Sequence, residues 1–120
     1  MEIYGKQYGF MLTVDALCTI AENCPNHDIN RIDEWIGSDM VSIINAMKVM
    51  APAMSKGYCD VMGETDPKFK GEPLTDRIVG MMSPNMVSDL EAEIVKAYQS
   101  GHETTVETQT KKKQKAPGLT

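Results

Sequence analysis

Residues 38–63, SDMVSIINAMKVMAPAMSKGYCDVMG, carry the longest helical pattern in the sequence. The apolar positions recur every three or four residues, which predicts one central amphipathic helix that Ser38 caps and Gly63 ends. Pro52 lacks a backbone donor and disfavours helical geometry at Ala51, so we expect a kink or a break there. The predicted apolar stripe consists of Met40, Ile43, Ile44, Met47, Met50, Ala51, Met54, Tyr58, Val61 and Met62.

A short β-hairpin is predicted before the helices. Residues 2–12 are rich in strand-forming side chains around a Gly5-Lys6 centre, which favours a turn at that point. A two-stranded ribbon is only marginally stable by itself, so one of its faces must pack on the helices. Strand alternation assigns Tyr8, Phe10 and Leu12 to that face.

Two helices are predicted between the hairpin and the central helix. Thr13 is a good N-cap for the first, which should stop at Pro25. Asp28 or Asn30 can cap the second, a short helix that Gly37 ends. Its single apolar stripe is formed by Ile29, Ile32, Trp35 and Ile36.

The sequence after the central helix predicts a loop, two helices and a tail. Residues 63–74 contain two prolines and two glycines and should be a loop. A short helix follows from Thr75 to Met82, and Pro84 at a first helical position starts the last helix, which should stop at Gly101. Its apolar side carries Met86, Val87, Leu90, Ile94, Val95 and Tyr98.

The predicted fold class is mainly α. One small helical domain, residues 1–101, carries the N-terminal β-hairpin packed on its helices. Residues 102–120 contain only two large apolar side chains and should form a disordered, lysine-containing C-terminal tail. A length of 120 residues with 42% hydrophobic content suits one such domain and leaves no room for a second.

Charge and hydropathy exclude several functional classes. The chain has a formal charge of −5, and its first 110 residues, with eight basic and 17 acidic side chains, carry −9. Phosphate neutralisation needs a basic surface, so we expect no nucleic-acid partner. No apolar run approaches a membrane span and no leader pattern begins the chain, so we expect no membrane contact and a soluble protein of the cytoplasm.

The residues with chemical potential form no recognisable catalytic or cofactor motif. Glycine-rich phosphate loops, serine nucleophile motifs and zinc-protease motifs are absent, so we expect neither an enzyme nor a cofactor. Cys18, Cys24, His27 and Cys59 could supply four zinc ligands, but their spacing is not a standard one. Three cysteines in apolar surroundings suit free thiols in a reducing compartment, so no metal is expected.

The methionines are the most informative feature for function. Eight of the ten fall between positions 40 and 86. For any single one, a place in the core is the simpler interpretation. As a group they exceed what a small core needs, and methionine is over-used on surfaces that accommodate varied helical partners. We therefore predict a groove for an amphipathic partner helix, with the partner-binding residues Met47, Met50, Met54, Met86 and Leu90.

Four stretches together show a resemblance to a known family: residues 4–10 (YGKQYGF), Thr13 to Pro25, residues 54–58 (MSKGY) and residues 73–75 (PLT). With the order of elements and the lysine-rich end, they resemble the tail assembly chaperones of long-tailed bacteriophages and of prophages in Gram-positive bacteria. The resemblance spans most of the chain, although none of these motifs is chemically specific.

The resemblance implies a non-catalytic chaperone in the cytoplasm of a bacterial host. Members of this family bind the tape measure protein, keep its apolar helices soluble, and help the tail tube protein polymerise around it. In many members a ribosomal frameshift near the end of the reading frame adds a further domain. If this chain is such a member, the codons of Lys111-Lys112-Lys113 would form the adenine run on which the ribosome slips. Without a frameshift, a basic run this short is usually a solvated segment.

A structural role is the alternative. A phage tail-completion or connector subunit could be built from the same helices, using its hairpin edge to join the sheet of a neighbour in a homo-oligomeric ring. The sequence leaves the oligomeric state open. An exposed strand edge at residues 2–5 would favour this alternative.

Overall fold

The protein is mainly helical, with a two-stranded antiparallel hairpin at its N-terminus, as the sequence predicts. The computed structural model describes the backbone of residues 1–115 and the side chains of residues 1–101. The elements are β1 (Glu2–Ile3), β2 (Lys6–Gln7), α1 (Val14–Asn23), two 3-10 turns (Pro25–His27 and Ile29–Arg31), α2 (Ile32–Ile36), α3 (Met40–Thr65), α4 (Asp76–Gly80) and α5 (Pro84–Lys115).

The hairpin turns at Tyr4-Gly5, one residue earlier than predicted. Both turn residues have positive φ, 48° and 80°, as in the two-residue turns whose twist matches that of paired strands. The Tyr4 hydroxyl donates to the Met81 carbonyl at 2.7 Å and thus ties the turn to the connection between α4 and α5. Tyr8 is buried and Phe10 and Leu12 pack against the core, as predicted, but β2 ends at Gln7, so these residues do not form one face of a strand.

The caps of the first helices follow the sequence closely. The Thr13 hydroxyl accepts from the Ala16 amide at 3.2 Å at the start of α1, which ends before Pro25 as predicted. Asp28, one of the two predicted caps, accepts from the Asn30 amide at 2.9 Å. Gly37, at φ 70°, follows the last residue of α2 and closes it.

The central helix α3 differs from its prediction in three details. Its N-cap is Asp39 rather than Ser38, because the Asp39 carboxylate reaches both the amide (2.9 Å) and the hydroxyl (2.8 Å) of Ser42. Both hydrogen bonds lower the pKa of Asp39, and the bond from the backbone amide has the larger effect. At its other end the helix continues past Gly63 to Thr65. Pro52 lies inside a single helix, so of the two predicted alternatives, a kink or a break, the break does not occur.

Helix α3 is the axis of the core, and α1, α2, α4 and α5 all contact it. The loop after α3 is held from within by Ser55, a fully buried residue whose hydroxyl accepts from the Leu74 amide at 2.7 Å. The core consists of Ile3, Tyr8, Ala16, Ile20, Cys24, Ala46, Met47, Met50, Ala51, Met54, Leu74, Val79, Leu90 and Ile94.

Helix α5 begins as predicted but does not end as predicted. The Ser83 hydroxyl accepts from the Met86 amide at 3.3 Å and caps the helix. The predicted end at Gly101 was wrong, since the helix continues to Lys115. A side chain at position 101 would lie 2.9 Å from Cβ of Leu12, so the glycine serves close packing instead of termination. The predicted disordered tail, residues 102–120, lies partly outside the described residues: the backbone of residues 102–115 continues α5, whereas the side chains from residue 102 and the backbone from residue 116 are not described.

Glycine at position 57 is required where the N-terminal segment crosses α3. The Met11 amide donates to the Met54 carbonyl at 3.0 Å, which draws this segment onto the helix. A Cβ on Gly57 would lie 2.8 Å from the Met11 carbonyl oxygen and 2.9 Å from the Thr13 side chain. Because one of these atoms belongs to the backbone, the segment itself would have to move.

We expect Gly57→Ala to destabilise the protein by about 1–3 kcal/mol, as overpacking does, although alanine favours the helix. Urea unfolding followed by circular dichroism measures the change. Gly63→Ala is the matched control, because a Cβ there meets nothing within 4 Å in the same helix. The control should gain up to about 1 kcal/mol, and equal stabilisation by both substitutions would contradict the close approach.

Candidate partner-binding grooves

The structure places most of the predicted partner-binding residues inside the core. Met47, Met50, Met54 and Leu90 are each at most 1% exposed, and Met86 is half-buried against the core. The open groove predicted at these residues is therefore wrong for this structure. The physical reason is that α3 is covered from several directions, and flexible methionine side chains fill the irregular gaps between its neighbours.

Other apolar side chains are exposed instead. Met40 and Val41, the first two residues of α3, are 66% and 67% exposed, and Met81 is 55% exposed in the connection between α4 and α5. Single exposed apolar residues are ordinary, whereas neighbours beside a cavity indicate a contact surface. The first turn of α3 meets this condition.

The first groove lies between the starts of α3 and α5. It is a cavity of about 350 Å³ whose apolar lining comes from Met40, Ile43, Ile44, Pro84 and Val87. Ser38, Ser88 and Glu91 complete it, so Glu91 is its one charged lining residue. We call this cavity the upper groove. Its size and lining suit one or two apolar side chains of a partner.

A second groove lies between α2 and α5. This cavity of about 290 Å³, the lower groove, is lined by Ile29, Asn30, Ile32, Asp33, Ile36, Met50, Val95, Tyr98 and Gln99. Met50 is the one predicted partner-binding residue that lines either groove, although its side chain is almost fully covered. Burial, then the nearby Cys24 and Asp33, raise the pKa of Tyr98, which therefore stays neutral at physiological pH.

A third cavity, of about 350 Å³, lies under the hairpin and includes Tyr8, Tyr58, Cys59 and Phe69. Tyr58 and Phe69 meet edge to face with centroids 6.0 Å apart. Burial first, and Asp60 next, raise the pKa of Cys59, so its thiol stays protonated and is a poor nucleophile. The lining here is more polar than in the upper groove, which is the better site for an apolar partner.

Cys18, Cys24, His27 and Cys59, the four possible zinc ligands of the sequence, do not come together around a metal site. Among residues 1–101, no three His, Cys, Asp or Glu side chains are arranged so that they could hold a metal ion. The Cys24 thiol donates to the Ile20 carbonyl at 3.4 Å, and burial raises its pKa. Cys18 is exposed on α1. The chemistry that the arrangement offers is apolar contact with a partner.

Sequence reasoning missed the residues that line the upper groove, and one signal could have revealed them. Val41 is apolar but lies outside the predicted stripe of α3, directly after Met40, the first residue of that stripe. Adjacent apolar residues in the first turn of a helix, directly after its cap, favour an exposed contact surface.

Comparison with known proteins returned no match: no family model, curated protein or solved structure is similar to this chain. Within the part of the chain that the structure describes, no helix combines the length and apolarity that crossing a membrane requires.

Buried and exposed methionines should differ sharply in their contribution to stability. Met54→Ala removes a fully buried side chain and should lower the free energy of unfolding by about 2–5 kcal/mol. Met40→Ala, at an exposed position, should change it by less than about 0.5 kcal/mol. Urea unfolding of both variants is the measurement. A cost for Met40→Ala as large as that for Met54→Ala would show that Met40 packs in the core.

Proposed function

We propose that this protein is a non-catalytic tail assembly chaperone that binds apolar helical segments of a phage tape measure protein in the cytoplasm of the bacterial host. The observation that carries the proposal is the upper groove, where apolar side chains of α3 and α5 surround an open cavity beside the exposed Met40. The resemblance of residues 4–10, 13–25, 54–58 and 73–75 to that family supports the same function.

The chemistry of a chaperone suits the charge of this chain. Apolar helices of a client aggregate when free, and covering them with a protein whose first 110 residues carry −9 keeps the complex soluble by mutual repulsion. Each groove is small, so a single copy binds weakly. Many copies on one long client would gain strength through avidity.

The alternative of a ring-forming tail subunit depends on a usable strand edge. Each strand of the hairpin contributes only two residues, Glu2–Ile3 and Lys6–Gln7, and Ile3 is buried. An added strand would find few backbone groups to pair with. The upper groove is therefore the stronger basis for a function.

Co-expression with the tape measure protein of the same phage or prophage tests the proposal. We expect the tape measure protein to be soluble only with this chain, and several copies of the chain to co-purify with it, counted by light-scattering mass. No effect on solubility and no co-purification would rule the proposal out.

Met40→Asp assigns the interaction to the upper groove. The substitution adds a charge to the groove wall, while an acidic residue in the first turn of a helix is favourable for folding. Val14→Asp is the matched control, since Val14 is also the exposed first residue of a helix but lies outside the grooves. We expect Met40→Asp to abolish co-purification and Val14→Asp to preserve it. Equal retention by both variants would place the binding site elsewhere.

A further inference from the structure

The upper and lower grooves share one face of α5. The α5 residues that line the upper groove are Pro84, Val87, Ser88 and Glu91, and those that line the lower groove are Val95, Tyr98 and Gln99. Successive members are one, three or four positions apart, which places all of them on a single side of the helix. Glu91 and Val95, the last residue of one groove and the first of the next, are one turn apart.

The opposite walls of the two grooves also adjoin each other. Ile36, the last residue of α2, lines the lower groove, and Ser38, two residues later, lines the upper one. The lining residues of the two cavities therefore adjoin in sequence on both walls. Along α5 they extend from Pro84 to Gln99, a distance of about 22 Å at the rise of an α-helix.

The two charged residues that line the grooves are both acidic. Glu91 is the charged residue of the upper groove and Asp33 that of the lower groove. Asp39 and Arg31 each lie between two lining residues, but the Asp39 carboxylate accepts from Ser42 and the Arg31 guanidinium donates to Glu34. No lysine or arginine lines either groove. The lining of the two grooves is therefore mainly apolar, and its charged residues, Glu91 and Asp33, are acidic.

We propose that the two grooves form one docking site for a single amphipathic helix of about four turns, whose apolar face is flanked by lysine or arginine. The apolar face enters both cavities, and the basic flanks pair with Glu91 and Asp33. This inference rests on the proposed function and specifies which client segments are bound: those with basic flanks, and not apolar helices in general.

Three labelled peptides of 16 residues test the charge and the length of the occupant by fluorescence anisotropy. The first has leucines at helical spacing with lysines on both flanks. The second has glutamates in place of the lysines, and the third keeps the lysines but retains leucines only in its first two turns. We expect the first peptide to bind at least tenfold more tightly than either of the others in low salt, and its preference over the second to shrink as salt is added.

Glu91→Gln and Glu93→Gln form a matched pair of variants. Both remove one carboxylate from α5, but Glu93 is exposed and lies outside both grooves. Glu91→Gln should weaken the first peptide about threefold to tenfold, as for loss of a partly buried charge pair, and Glu93→Gln should leave it unchanged. Asp33→Asn on the opposite wall should act in the same direction as Glu91→Gln. Asp33→Asn therefore tests the same charge effect if the Glu91 variant does not fold.

Three results would overturn the inference: equal binding of the lysine and glutamate peptides, equal binding of the full and half stripes, or equal effects of Glu91→Gln and Glu93→Gln. The peptide assay contains no tape measure protein, so its outcome is separate from that of co-expression. Peptide binding without rescue of the tape measure protein would refute the proposed function and keep the docking site. Rescue of the tape measure protein without selective peptide binding would refute the docking site and keep the proposed function.

Discussion

The need to cover a 26-residue central helix along its whole length is the constraint on which this structure depends. Helix α3 is about 39 Å long, and its stripe needs apolar cover along its length. Helix α1 has 10 residues and α2 and α4 have five each, and the longer α5 leaves a cavity between its own start and the start of α3, so the cover is incomplete there. The exposed Met40 and Val41 and the upper groove lie at this uncovered end. The fold and the candidate site thus have one physical origin.

The local structure was largely predictable because local interactions determine it. Thr13, Asp28 and Gly37 act as the sequence indicates, since a cap depends on side chains within three or four residues. Gly101 shows the limit of such reasoning. A glycine after an apolar stripe predicts a helix end, but here it admits Leu12 from the other end of the chain, and no local pattern contains that contact.

The sequence indicates an apolar groove but does not indicate which residues line it. Helical spacing cannot distinguish a methionine stripe that faces a partner from one that faces the core, because both are apolar at the same period. The number of elements that pack on each part of the stripe determines whether that part faces the core or a partner. Met47 and Met54 are buried because α1, α2, α4 and α5 all lie against α3, whereas Met40 lies near its uncovered end.

The bond from Tyr4 to Met81 has a kinetic consequence for a chain made from its N-terminus. The hydroxyl and its acceptor are 77 residues apart, and the core partners of Ile3 and Tyr8 include residues of comparable separation. During synthesis the hairpin is translated before the helices, yet it cannot complete its contacts until the connection between α4 and α5 has followed it. High sequence separation of contacts slows folding. The hairpin, although translated before the helices, is thus among the last elements to acquire its final contacts, and the apolar stripe of α3 stays partly open meanwhile.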